Sequence, residues 1–279
     1  MKKTILITGA STGIGQAAAI TFAEKGWNVI ATMRNPPAEK EGRDVGNILA
    51  LRLNVQDPAS IETAIRAGIA NFGKIDALIN NAGFGLSGLF EAIPPQKVRE
   101  QFDVNVFGVM EVTRAILPHF RKNGEGLIIN ISSRGGLIGL PLMSLYCASK
   151  FALEGFSEAL SYELASQKIT VKIVAPGGGA NTQFGQRLVQ EQAHNQPLPD
   201  YDGFTATIAQ ANARFAGLRQ GFSTSSEDVA RVMYEAATDG TDRLRYTVGH
   251  DIPPFIKAKK EMADQDYVES MKKAYGLKG

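Results

Sequence analysis

Tyr146 and Lys150 stand four residues apart in Tyr146-Cys147-Ala148-Ser149-Lys150, a spacing that puts two side chains on one face of a helix. A phenol is a poor acid or base at neutral pH, because its free pKa is about 10. A neighbouring ammonium favours the phenolate and so draws the phenol toward a working range. The pair is therefore expected to move protons in a way that neither residue manages alone. Ser133 and Asn105, both upstream, add a hydroxyl and an amide of the kind that line polar sites.

A second constellation opens the chain. Thr8-Gly9-Ala10-Ser11-Thr12-Gly13-Ile14-Gly15 follows an apolar strand and leads into a helix. Glycines there let the backbone approach a phosphate closely, and the helix N-terminus supplies oriented N–H groups and positive potential. Gly9, Ser11, Thr12, Gly13, Ile14 and Gly15 are thus candidate dinucleotide contacts, although the Gly-x-x-x-Gly-x-Gly spacing differs from the commoner fingerprint. The second strand ends Ala31-Thr32-Met33-Arg34 without the acidic residue that grips ribose hydroxyls. Arg34 offers a planar, permanently charged fork suited to a phosphate, which favours NADP(H) over NAD(H). Asn54 and Val55, ending the third strand, sit where adenine is recognised, and Asp57 before Pro58 reads as a helix N-cap.

These residues need a scaffold, and the hydrophobic pattern supplies one. Short runs rich in Ile, Val and Leu, at 3–8, 27–33, 48–54, 75–80, 126–132, 169–175 and 244–248, read as strands buried on both faces. Amphipathic stretches between them, at 14–25, 58–72, 96–121, 146–166 and 226–238, read as helices. Such alternation predicts a single α/β domain over 1–250: a doubly wound, parallel, seven-stranded sheet of Rossmann type, with its ligand crevice at the strands' C-terminal ends. The rhythm breaks at about 177–225, which contains Gly177-Gly178-Gly179, Pro197, Pro199 and many amides and shows no strand. A connection that long reads as a lid or a partly disordered segment. Residues 251–279 read as a charged helical tail, packing on the lid or on a partner subunit, because acidic residues interleave with its lysines.

Composition narrows the function. A net charge of +2 gives no electrostatic case for nucleic acid or an anionic membrane. The single cysteine, Cys147, excludes an intrachain disulfide, and no apolar run approaches the ~20 residues that span a bilayer. The apolar run at the start is too short for a secretion signal and reads as a first strand, so a cytoplasmic protein is expected. His119, His194 and His250 show no ligand spacing, and no metal is expected.

The chain resembles the short-chain dehydrogenase/reductase family from Lys3 to about Gly249. The carriers are the glycine-rich turn, Asn80-Asn81-Ala82-Gly83 after the fourth strand, Asn105, Ser133, the Tyr146–Lys150 motif and Pro176-Gly177 after the sixth strand. The resemblance implies a hydride transfer between NADP(H) and a small-molecule carbonyl or alcohol. It implies that Tyr146 is the acid or base, that Ser133 hydrogen-bonds the substrate oxygen and that Lys150 touches the nicotinamide ribose. Asn105 would hold a water linking Lys150 to solvent. Asn81, Ala82, Gly83, Pro176 and Gly177 would line the cofactor crevice. Ser132 rivals Ser133 for the catalytic position, and the thirteen-residue spacing to Tyr146 favours Ser133. Where the family places a threonine five residues past the proline, this chain has Asn181, with Thr182 next. Thr182 is taken as the cofactor contact, with Asn181 its alternative. Relatives commonly pair through the helices bearing Asn105 and the Tyr/Lys motif, implying a homodimer or homotetramer. A non-catalytic NADP(H)-sensing or scaffold protein on the same fold is the rival reading, because fold does not fix function.

Overall fold

A computed structural model describes residues 2–37, 44–177, 183–218, 224–249 and 252–277. Seven strands run parallel: β1 (Thr4–Ile7), β2 (Asn28–Met33), β4 (Ile48–Arg52), β5 (Ala77–Asn80), β6 (Gly126–Ile131), β7 (Ile169–Pro176) and β8 (Arg245–Val248). An eighth strand of two residues, β3 (Asp44–Val45), pairs antiparallel with β4 at the sheet edge. It is too short to leave a periodic signal, and it folds back through Gly46, whose φ is +76°. The order β3-β4-β2-β1-β5-β6-β7-β8 reverses direction between β1 and β5. A crevice opens where strand order reverses, at the strands' C-terminal ends.

Alternation along each strand sends apolar side chains to both faces. On one face Ile5, Ile7, Ile79 and Ile129 pack against α1 (Gly13–Glu24) and α8 (Ser226–Thr238). On the other, Leu6, Ile30, Leu78 and Ile128 meet α2 (Pro58–Phe72), α4 (Gly108–Asn123) and α5 (Ser144–Leu164). Asp57 caps α2 as its sequence position suggests, accepting from the Ser60 backbone N–H at 3.3 Å. The helix expected over 96–121 is α3 (Pro95–Phe102) and α4 joined by one π-helical turn, Asp103–Phe107. Within the described residues, no helix is long and apolar enough to cross a membrane.

The segment without strands holds two helices, α6 (Gln183–Gln192) and α7 (Asp202–Leu218). A charge network of Lys97, Glu100, Arg187 and Glu191 ties α6 to α3. Asn195 donates to the Ser87 carbonyl (3.0 Å), and the Gln196 N–H donates to that of Ala92 (2.9 Å), fixing the segment against the loop after β5. The tail forms α9 (Ile252–Glu261) and α10 (Asp264–Tyr275). Tyr275 packs edge-on against Phe215 of α7 at 5.2 Å, in a cluster with Ile208 and Leu142.

Under β8 lies a buried cation. Lys172 donates to Asp239 at 2.6 Å and to the Tyr246 hydroxyl at 3.1 Å. Burial opposes ionisation of Asp239, but hydrogen bonds from Lys172, Tyr246 and Thr241 outweigh it and hold the carboxyl below the usual carboxylate range. Its contribution to stability is therefore complete above about pH 4 and is lost as acid protonates it. Lys172→Met is expected to destabilise the fold by about 2–3 kcal/mol, less than for a fully enclosed pair because Asp239 is partly exposed. Urea unfolding between pH 3 and 7 checks this: the variant should lose part of the wild type's acid sensitivity. Equal stability of the two proteins at pH 7 would contradict it.

Candidate active site

The site begins with a clamp between β1 and β5. The Thr8 hydroxyl accepts from the N–H groups of Asn81 and Ala82, each at 3.0 Å, and the Asn81 amide donates to the carbonyls of Thr8 and Gly9, also at 3.0 Å. The glycine turn passes so close to this clamp that side chains are excluded. A Cβ on Gly15 would lie 2.3 Å from the Gly9 oxygen and 2.4 Å from the Asn81 amide nitrogen, and Gly9 itself has φ +68°. Helix α1 then starts after Thr12, with no side-chain cap and no acidic residue in its first turn. Its positive end and amide donors therefore face the crevice without a competing anion from the first turn.

A cleft of about 1400 Å³ runs from this turn to the Tyr/Lys motif. Gly9, Ser11, Thr12, Gly13, Ile14, Gly15, Asn81, Ala82, Gly83, Pro176 and Gly177 all line it. Arg34 stands exposed at its rim beyond Met33, with Asn54 and Val55 alongside. Asn54 accepts from the Gln56 N–H through its side chain at 3.3 Å, and its backbone is held by the Ser60 hydroxyl. The fit to a dinucleotide rests on this sequence of surfaces: an uncapped helix N-terminus, a glycine floor and a cationic rim. No described residue lining the cleft is acidic. Thr182 and Asn181 lie outside the described residues.

At the far end, α5 places Tyr146 and Lys150 on successive turns, both 7% exposed. Lys150 Nζ donates to the Ile131 carbonyl at 2.8 Å and lies 5.9 Å from the Tyr146 ring centre. Ser133 lies two residues past β6 and accepts from the Gly135 N–H at 3.1 Å, opening a tight turn that packs Gly135 against the Tyr146 ring. Ser132 differs from its neighbour: its hydroxyl is tucked against Gly136, with no hydrogen-bond partner among the described residues. Both serines lie past the end of β6 and both line the cleft, and of the two it is Ser133 that acts on the Tyr146 phenol.

The electrostatics differ in one respect from the sequence expectation. Burial pushes the Tyr146 phenol up to about 12, with the Ser133 hydrogen bond pulling the other way. Burial also pushes the Lys150 ammonium down to about 8, while Glu154 raises it. Desolvation penalises both charged forms, and the cation that works against it at Tyr146 is Arg134, while the Lys150 ammonium is bonded to a backbone carbonyl. The free site therefore holds a phenol kept protonated by burial beside an ammonium that burial makes easier to discharge.

Asn105 lies in the π-helical turn and is fully buried. Its side chain accepts from the Phe84 N–H (3.0 Å) and donates to the Phe84 carbonyl (2.8 Å) and to Ser149 (3.2 Å). It thus anchors the loop after Gly83 beneath Lys150, and it does not line the cleft. Residues outside the candidate catalytic and cofactor set also build the site. Gln101 holds the Leu86 N–H and the Phe84 carbonyl, and Arg134 and Tyr275 line the cleft. Phe184 of α6 sits 5.5 Å from the Tyr146 ring.

Asn105→Ala leaves the buried Phe84 N–H unpaired, while the Phe84 carbonyl keeps its bond from Gln101, and is expected to cost about 1–3 kcal/mol. Ser132→Ala removes a hydroxyl with no described partner and is expected to change stability by less than about 0.5 kcal/mol. Urea denaturation of both variants checks the pair, and a larger loss for Ser132→Ala would contradict the geometry.

Comparison with known proteins agrees with this architecture. Residues 3–193 match the family model described as short chain dehydrogenase. Human 17-beta-hydroxysteroid dehydrogenase type 1 is 30% identical over 97% of this chain and 85% of its own length. A short-chain dehydrogenase from Streptomyces avermitilis superposes with a TM-score of 0.79, at 29% identity and with both chains fully covered. The 3-ketoacyl-(acyl-carrier-protein) reductase of Brucella melitensis, solved in complex with NADH, gives a TM-score of 0.72 and 27% identity over 88% of this chain and 96% of its own. With a reversal-point crevice, a glycine-floored helix N-terminus and a buried Tyr/Lys pair already in place, the chain belongs to the short-chain dehydrogenase family and is an oxidoreductase of that type.

Proposed function

We propose that the protein is an NADP(H)-dependent oxidoreductase that interconverts a carbonyl and a secondary alcohol. The observation that carries the reading is the meeting of Ser133, Tyr146 and Lys150 at one end of a cleft whose other end is an uncapped helix N-terminus. Gly9 to Gly15 and Asn81 to Gly83 would hold the dinucleotide along the cleft floor, with Pro176, Gly177 and Thr182 near its nicotinamide end. Asn54 and Val55 would meet the adenine. Arg34 would pair with a 2′-phosphate, so NADP(H) is preferred although the Brucella neighbour was solved with NADH. A reduced nicotinamide bound there supplies hydride, and its oxidised form accepts one.

The chain's own residues manage the oxygen. As the carbonyl is reduced, negative charge develops on its oxygen, and stabilisation is needed only then. Ser133 donates a hydrogen bond to that oxygen and Tyr146 delivers a proton to it. A phenol kept protonated by burial is an acid ready to donate, and the Lys150 ammonium steadies the phenolate that forms. Lys150 would also bond the nicotinamide ribose, and Asn105 keeps the floor beneath it rigid. Proton resupply through a water held near Asn105 belongs to this reading.

Phe84, Val104, Leu140, Leu142, Phe184 and Ile208 make the substrate end mostly apolar, and Tyr275 closes it. An uncharged or anionic ketone or aldehyde with a sizeable apolar body fits such walls, and the name of the human relative points the same way. Phe107, Phe151 and Tyr162 lie exposed on the stretch from the π-helical turn to α5 and would bury in a homodimer or homotetramer. A monomer by sedimentation would remove that part. A cytoplasmic enzyme is the matching proposal for location.

The test is NADPH and NADH oxidation across a panel of ketones, aldehydes and quinones. Tyr146→Phe is expected to lower kcat by about a hundred- to ten-thousand-fold. Arg34→Ala is expected to raise KM for NADPH by about ten- to a hundred-fold and to leave that for NADH unchanged. Turnover that survives Tyr146→Phe sinks the assigned acid, and equal effects of Arg34→Ala on both cofactors sink the phosphate contact.

A further inference from the structure

Glu154 follows Lys150 by one helical turn on α5, continuing the row begun by Tyr146. It is 6% exposed, an uncommon place for a carboxylate. One oxygen accepts from Arg245 Nε of β8 at 2.8 Å, whereas Oε1 is buried with no hydrogen-bond partner among the described residues. Its Cγ packs under the turn that carries Ser133, at 3.1 Å from where a Cβ on Gly136 would stand. Arg245 also reaches the exposed Glu158 at 3.5 Å, so its charge is shared between two carboxylates. A buried carboxylate with one oxygen unpaired thus stands one helical turn from Lys150 and bonded to Arg245. It interacts attractively with Lys150.

We propose that Glu154 is a positioning residue for the reaction, a buried anion that keeps Lys150 charged beneath Tyr146, with Arg245 setting how much of its field Lys150 receives. The inference rests on the catalytic role given to Lys150 above. In a medium of low dielectric, a carboxylate one turn away acts strongly on an ammonium that burial is already discharging. Few other groups compete. Tyr146 and Cys147 on α5 are neutral at pH 7, and Arg134 of the serine turn is a cation that acts on those two groups. Asn81, Asn105 and Ser149 on the remaining sides are uncharged, and Asp103 of the π-helical turn is exposed to solvent. Glu154 is then the local anion, and its pairing with Arg245 is a tuning device as well as a tie between α5 and β8.

Two variants separate this from a purely structural salt bridge, because they should act in opposite directions. Nitrogen NMR of protein labelled with 15N-lysine reads the Lys150 ammonium directly, its signal assigned by loss in Lys150→Met. Wild type should titrate near 8. Glu154→Gln should move that midpoint down by about half a unit or more, and Arg245→Met should move it up. Glu154→Asp, which keeps the charge, should restore a value near wild type. The alkaline limb of kcat/KM for NADPH-dependent ketone reduction should follow the same three shifts. Midpoints that stay fixed, or that move together in Glu154→Gln and Arg245→Met, overturn the proposal. Absence of turnover with every ketone would instead count against the enzymatic reading, while the NMR titration still judges Glu154.

Discussion

The hydrogen-bonded clamp between Thr8 and Asn81 is the constraint on which the cleft depends. It joins the C-terminal ends of β1 and β5, the two strands between which the sheet reverses its order. One hydroxyl accepts two backbone donors and one amide donates to two carbonyls, so both turns are fixed at once. The glycine turn can then pass over the clamp only without side chains. The direction of α1, and so of its free amide groups, follows from that close passage. Backbone groups that would be costly to bury unpaired are thereby converted into a rigid floor.

Burial governs the chemistry at the opposite end. It raises the phenol of Tyr146 and lowers the ammonium of Lys150, so the free site is biased toward a neutral acid beside a partly discharged base. On the proposed function, such a site suits a reaction in which negative charge appears late and locally, since fixed donors in a buried environment act most strongly on that charge. Residues of α6, α7 and α10 contribute to that burial. Phe184 covers Tyr146, and the cluster of Leu142, Ile208 and Tyr275 closes the far wall. Leu142 itself adopts φ +60°, a conformation an ordinary side chain resists, and its carbonyl is held by the Gly88 N–H at 2.8 Å.

Much of this was legible in the chain because it is local. The four-residue spacing of Tyr146 and Lys150, the glycine turn and the Asp57 cap each depend on neighbours within a turn or two, and the apolar strand runs declare their own periodicity. What escaped depends on distant partners. Glu154 meets Arg245 across 91 residues, and Tyr275 reaches the cleft only by packing on α7. The π-helical turn hides inside an uninterrupted helical pattern, and Asn105 spends its amide on a loop 21 residues away. Helices α6 and α7 lacked a strong signal because Gly and many amides dilute their apolar faces. The sequence places Lys150 beside Tyr146, but it gives no measure of desolvation, and desolvation decides the sign at Tyr146, where Ser133 and Arg134 are the groups that pull the other way.

That balance can be measured without a substrate. Ultraviolet difference titration of the wild type against Tyr146→Phe isolates the ionisation of this one phenol. A site governed by burial shows no tyrosinate from Tyr146 below about pH 10 in the free protein. A Tyr146 signal appearing near neutral pH would show that Lys150 outweighs burial and would contradict the account of a protonated, donation-ready acid.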